Sequence, residues 1–126
     1  MPCIVIHGNV VGLQARIKII LRPLEQADVE IECVVDTGFE GALTLPPDIV
    51  ASLELPYVTR ISANLANDMN VMTRIHLATI VWHGVEREVA VLAIGRRPLI
   101  GTALIEDYHL SVDFYEGGSV VIDEIL

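Results

Sequence analysis

The chain has 126 residues and a formal charge of −9 at pH 7; 52% of it is hydrophobic, and 8 lysines and arginines face 17 acids. That balance disfavours nucleic acid and anionic membrane surfaces as partners, because holding phosphates requires clustered Lys and Arg. The length suits one domain, residues 1–126, that can bury about two-thirds of its unfolded surface and so form a core without disulfide or metal staples. No apolar run reaches the roughly 18 residues of a membrane span. The N-terminus lacks a basic segment followed by a long apolar block, so a cytoplasmic location is the expectation. Cys3 and Cys33, with no CxxC spacing, read as small apolar strand residues of a reducing compartment.

Residues 3–7 predict a short strand turning at His7-Gly8-Asn9. From Leu13 to Leu21 the odd positions are apolar, with Gln14, Arg16 and Lys18 between them; this period of two predicts a half-buried strand, closed by Pro23. Val29, Ile31, Cys33 and Val35 alternate with Glu30 and Glu32, so residues 28–35 form the next strand. Gly38 and Gly41 are expected to let the backbone turn sharply after it. Leu43-Thr44-Leu45 resumes as strand, and Pro46-Pro47-Asp48 starts a short helix through about Leu53.

Tyr57 to Leu65 alternates again. Asn64, Asn67, Asp68 and Asn70 tolerate left-handed backbone and mark a hairpin tip. The returning strand, about 71–82, turns at His83-Gly84 into another strand over Val85 to Ile94. Gly95-Arg96-Arg97-Pro98 breaks that pattern before Leu99-Ile100. Thr102 is placed to cap a helix reaching about Tyr108. Leu110 to Phe114 and Val120 to Ile122 make a final hairpin across Glu116-Gly117-Gly118. Short strands with frequent turn signals predict an all-β sandwich or barrel. His7, His76, His83 and His109 fall in no metal-ligand spacing and read as turn or surface residues. No Gly-rich phosphate loop is present, and no cofactor is implied.

One stretch departs from these patterns. Cys33-Val34-Val35 leads straight into Asp36-Thr37-Gly38-Phe39-Glu40-Gly41. Delivering a carboxylate from an apolar strand is costly unless it is solvated, paired or altered in pKa. Asp36 is therefore either an ordinary turn cap or a group held for chemistry. Two apolar residues followed by Asp-Thr-Gly, with Leu99-Ile100-Gly101 and a short helix much later, resemble the retropepsin-like (retroviral-type) aspartic proteases. The resemblance runs along nearly the whole chain: an N-terminal hairpin, Asp-Thr-Gly, a flap hairpin over residues 59–75, an apolar-apolar-Gly segment, a helix and a C-terminal strand.

The resemblance implies an all-β closed barrel, the acid-protease half, with a short C-terminal helix, working as a homodimer on a peptide or protein substrate. Asp36 would be catalytic. Thr37 would hydrogen-bond across the two-fold axis, and Gly38 would leave room for substrate backbone. Phe39, Glu40, Met69, Leu99 and Ile100 would line the substrate cleft; no metal is implied. Two departures stand out. The family's flap tip is glycine-rich, whereas Leu65 to Asn70 holds no glycine. Thr102 stands where the family carries an arginine, so Glu40 loses that ion pair, and Asp68 near a cleft already holding two acids would repel anionic substrates. A dimeric β-module that binds extended peptides without cutting them is the competing expectation.

Overall fold

Alternation of buried and exposed side chains builds most of this molecule. The computed structural model describes residues 5–64 and 69–125. Among these residues the elements run β1 (Ile6–Val11), β2 (Gln14–Leu21), β3 (Val29–Val35), β4 (Leu43–Leu45), α1 (Pro47–Ser52), β5 (Tyr57–Asn64), β6 (Asn70–Trp82), β7 (Val85–Ala93), β8 (Leu99–Ile100), α2 (Thr102–Ile105), β9 (Tyr108–Val112) and β10 (Ser119–Glu124). In β2 the odd positions Ala15, Ile17, Ile19 and Leu21 are buried, which is the face the period of two assigns to the core.

The strands close on themselves. β6 pairs with β7, β7 runs parallel to β4, β4 is antiparallel to β8, β8 is parallel to β3, and β3 is antiparallel to β2. β2 then returns to β6 through Ile20↔Val81 and Leu21↔Ile80. This six-membered ring closes the middle of the sheet on itself and leaves β5 and β9 as its outer strands. Outside the ring, β5 pairs with β6, while β1, β10 and β9 extend the sheet from β2. Ile17, Leu43, Ile80, Val91, Ile100 and Leu104 meet inside, each no more than 1% exposed. Burying each contributes roughly 1.5–3 kcal/mol. Pro47 opens α1 at a first-turn position, where its missing N–H is not needed.

Several expectations are corrected. The first hairpin turns at Gly12-Leu13, with φ of 60° and 59°, and not at His7-Gly8-Asn9. Two successive left-handed residues match the twist of the flanking strands. Gly8 lies inside β1, where a Cβ would collide with the Arg16 carbonyl of the facing strand. The chain does turn at Gly38 and Gly41 as expected, but without left-handed backbone; the positive-φ glycines are Gly12, Gly84, Gly95 and Gly117. The helix after Thr102 is a single turn capped by Gly101, and Tyr108 already belongs to β9. The last hairpin is longer than expected and starts earlier, at Tyr108. His83 occupies its expected turn but is buried, stacked 4.3 Å from the Tyr108 ring and edge-on to Trp82. Cys33 is a buried free thiol; Cys3 lies outside the described residues, as do Leu65 to Asp68 of the expected hairpin tip.

Candidate active site

Asp36 follows directly on β3, and its position is set by the strands beside it. β3 and β8 run parallel with Val34↔Leu99 and Val35↔Ile100, while β8 meets β4 through Leu43↔Ile100 and Thr44↔Leu99. The Asp36 N–H donates to the Ile100 carbonyl at 2.8 Å. Beyond Asp36 the chain folds back on itself: Phe39 N–H donates to the Asp36 carbonyl at 3.1 Å, and Gly38 N–H donates to Asp36 Oδ1 at 2.9 Å. This is the side-chain turn that Asp favours. The following segment is stitched to the start of α2, with Gly101 N–H donating to Ala42 O at 3.1 Å, Thr102 N–H to Phe39 O at 2.8 Å and Ala103 N–H to Gly41 O at 3.2 Å. The Thr102 hydroxyl adds a 3.3 Å bond to Phe39 O.

Close approach explains two of the glycines. A Cβ at Gly41 would lie 2.5 Å from Phe39 Cζ, and one at Gly101 would lie 2.5 Å from both Phe39 Cδ2 and Phe39 O. The Phe39 ring is thus clamped between the two segments. Leu99-Ile100-Gly101 is needed as a unit: Leu99 and Ile100 pair with β3, and Gly101 admits the backbone of the Asp36 loop.

The loop forms one wall of a cleft of about 640 Å³. Asp36, Gly38, Phe39, Glu40 and Gly41 line that wall. Thr44 of β4, Leu92 of β7, Ile94 just beyond its end, and Leu99 of β8 line the floor. Ile61 and Ala63 of β5 line the opposite side, so the β5–β6 hairpin borders the cleft. The volume falls in the range of ligand pockets, and mostly apolar walls with a few polar groups are their usual composition. A second groove, lined by Arg87, Glu106, Asp107 and Tyr108, is smaller at about 390 Å³ and more polar.

The expected site residues divide by position. Asp36 is half-buried, and Thr37, Gly38 and Glu40 are exposed. Phe39 and Leu99 are half-buried on the cleft. Ile100 is 0% exposed and belongs to the core, because successive residues of a strand face opposite sides. It acts on the site through its carbonyl alone. Met69 is exposed at the foot of β6 and is not among the cleft-lining residues. Thr37 does not line the cleft either; it lies beside it on the open surface.

The structure adds lining residues that the sequence reading did not name. Thr44 is 4% exposed, and its hydroxyl accepts the Leu99 N–H at 3.2 Å. A polar residue between two buried leucines was the available signal. Leu92 and Ile94 carried another: the even face of β7 reads Glu86, Glu88, Ala90 and then turns apolar just where it meets the cleft.

Burial pushes the Cys33 thiol up to about 12, with the Glu32 charge adding to it. Cys33 is therefore a packing residue and not a nucleophile, since thiols react as thiolates. Among the described residues no group of three or more His, Cys, Asp and Glu is placed to hold a metal ion. Among them, no helix is long and apolar enough to cross a membrane.

A closed barrel with an Asp-Thr-Gly loop seated on an apolar-apolar-Gly strand is the all-β retropepsin-like fold. The chain is similar to a retropepsin-like aspartic protease from Rickettsia conorii, with a TM-score of 0.65 and 19% identity over 98% of this chain and 91% of that one. No protein-family model and no curated protein sequence matches the chain.

Proposed function

We propose that the protein is an aspartic endopeptidase that works as a homodimer, hydrolysing peptide bonds with a water activated between two Asp36 carboxylates. The observation that carries this reading is the seat of Asp36, a half-buried acid fixed by Gly38 N–H and Ile100 O on the wall of a cleft of about 640 Å³. The fold shared with the Rickettsia conorii protease supports it.

Cutting a peptide without metal or covalent intermediate needs one group to take a proton from water and another to protonate the carbonyl oxygen. Two carboxylates about 3 Å apart hold one proton between them, because both cannot ionise together. They titrate as a pair. In the reaction the ionised member deprotonates the water as it attacks the carbonyl carbon, and the protonated member donates to the carbonyl oxygen. The tetrahedral species then collapses, with a proton passing to the leaving nitrogen.

One chain supplies one such acid, so the second comes from another copy across a two-fold axis. The exposure of Thr37 and Gly38 beside Asp36 leaves that face open to a second loop. Thr37 hydrogen-bonds across the axis, and Gly38 lets substrate backbone approach. The apolar side chains of Ile61, Leu92 and Leu99 favour apolar residues flanking the cleaved bond.

The test is to incubate wild type and Asp36→Asn with a mixed peptide pool at acid and neutral pH and to read the products by mass spectrometry. Cleavage is expected to fall by about 10²-fold or more in the variant. Cleavage that survives the substitution overturns the mechanism. Peptide binding without cleavage under any condition would favour the non-cutting β-module.

A further inference from the structure

We infer that Glu40 makes the cleft selective for a positively charged side chain, lysine or arginine, in the bound peptide. The inference deepens the proposed function and rests on its placing the peptide in this cleft. Glu40 is exposed and lines the same wall as Asp36. The remaining lining residues are apolar side chains, glycines and Thr44, so the described lining holds two carboxylates and no cation. The ion pairs among the described residues leave Glu40 out. No hydrogen bond to its carboxylate is formed among them either.

The neighbouring cations are committed elsewhere or lie off the wall. Arg97 donates to Gln14 at 3.0 Å, and Arg96 is exposed beyond the lining. Thr102 spends its N–H and hydroxyl on Phe39 O, two neutral bonds that bring no charge to Glu40. Glu40 is exposed, so a cation reaching it gains what a surface pair gains, up to about fivefold in affinity. The charge of −9 on the whole chain adds attraction at longer range. Charge therefore comes from the ligand, at a position offset from the apolar residues that flank the reacting bond.

The test uses Asp36→Asn, which cannot cut by the proposed mechanism and removes the other cleft carboxylate. Fluorescence anisotropy measures its binding of labelled decapeptides with two apolar residues at the centre and Lys, norleucine or Glu scanned through the flanking positions. At one flanking position the Lys peptide is expected to bind about fivefold more tightly than its norleucine counterpart, an advantage that shrinks in 0.5 M salt, about threefold the ionic strength of the cell. Adding Glu40→Gln removes the advantage, Glu40→Asp keeps part of it, and Glu40→Lys turns the preference toward the Glu peptide.

Equal discrimination in Asp36→Asn with and without Glu40→Gln would assign the effect to net charge and overturn the inference. So would an absence of any Lys preference in a protein that binds or cleaves the peptides. Lys-selective binding with no cleavage by wild type would sustain the inference while removing the endopeptidase reading. Failure to bind or cleave any peptide removes both. Because Glu40 is exposed, these variants are expected to fold, and unfolding curves check that they do.

Discussion

Gly101→Ala tests the claim that the Leu99-Ile100-Gly101 segment exists to seat the Asp36 loop. An added methyl would lie 2.5 Å from Phe39 O and from Phe39 Cδ2, and it would strike the Gly41 carbonyl as well. Cβ atoms do not tolerate contacts under 3.0 Å, so the Phe39–Gly41 backbone must retreat by at least about 0.5 Å. The bonds from Gly101 N–H to Ala42, Thr102 N–H to Phe39 and Ala103 N–H to Gly41 stand at 3.1, 2.8 and 3.2 Å. A retreat of that size takes them to about 3.3–3.7 Å, beyond the good range of N–H···O bonds. Overpacking costs about 1–3 kcal/mol, and weakening these bonds adds about 1 kcal/mol or more. The expected loss is about 3 kcal/mol. With an unfolding entropy of about 2.1 cal/mol/K per residue, that lowers the Tm of a 126-residue domain by roughly 10 °C. Trp82 is the only tryptophan and is 3% exposed, so its fluorescence reports urea unfolding directly. Gly117→Ala is the control: its φ is +84° with nothing within 4 Å, so only backbone strain of about 1–2 kcal/mol is expected. A Gly101→Ala protein no less stable than Gly117→Ala would refute the seating argument.

Thr44→Val leaves the Leu99 N–H without its buried acceptor, and urea unfolding should show a loss of about 1–3 kcal/mol, most of it recovered in Thr44→Ser. Cys33 should resist iodoacetamide at pH 8 while folded, and peptide mapping should find it alkylated only after unfolding. Its thiol is protonated in both states below about pH 9.0, so it adds no pH dependence there; between 9.0 and about 12 the unfolded chain loses a proton that the folded chain keeps, and stability falls as pH rises, a slope that Cys33→Ala should reduce. If two copies build the site, cleavage per chain should fall on dilution in step with the dimer fraction from sedimentation; activity in a strictly monomeric sample would remove the paired-acid mechanism.

The strands were legible because burial on one face writes itself into a sequence as a period of two. Residues 28–35 and the His83-Gly84 turn needed nothing else. The features that escaped depend on contacts distant in sequence. Leu13 adopts φ 59°, which its residue type gives no reason to expect, while Gly8 looked like a turn but is required by the Arg16 carbonyl opposite. The barrel closes through Ile20↔Val81, a pairing that no local pattern announces. At the site, Asp36 was visible as a charge at the end of an apolar strand. Ile61, Thr44 and Leu92 come together only through the ring of strands, and the placement of Ile100 in the core followed from which face of a two-residue strand meets β3 and β4.

A turn cap and a reactive acid make different demands on the chain around them, and the proposed mechanism requires the second. Capping needs one carboxylate oxygen and a following N–H, and Oδ1 with Gly38 supplies both at 2.9 Å. That leaves unexplained why the strand pair β3–β8, the clamped Phe39 ring and the bonds from residues 101–103 all converge on the same few residues. Fixing a loop so thoroughly is of little use to a solvated turn, whose stability tolerates movement. It matters where a carboxylate must be held to within about 0.5 Å of a partner group. Thr37 and Gly38 are exposed, and among the described residues no ion pair gives Asp36 a countercharge. Rigid backbone beneath an uncompensated acid and an open face beside it is the arrangement that a second, identical loop would complete.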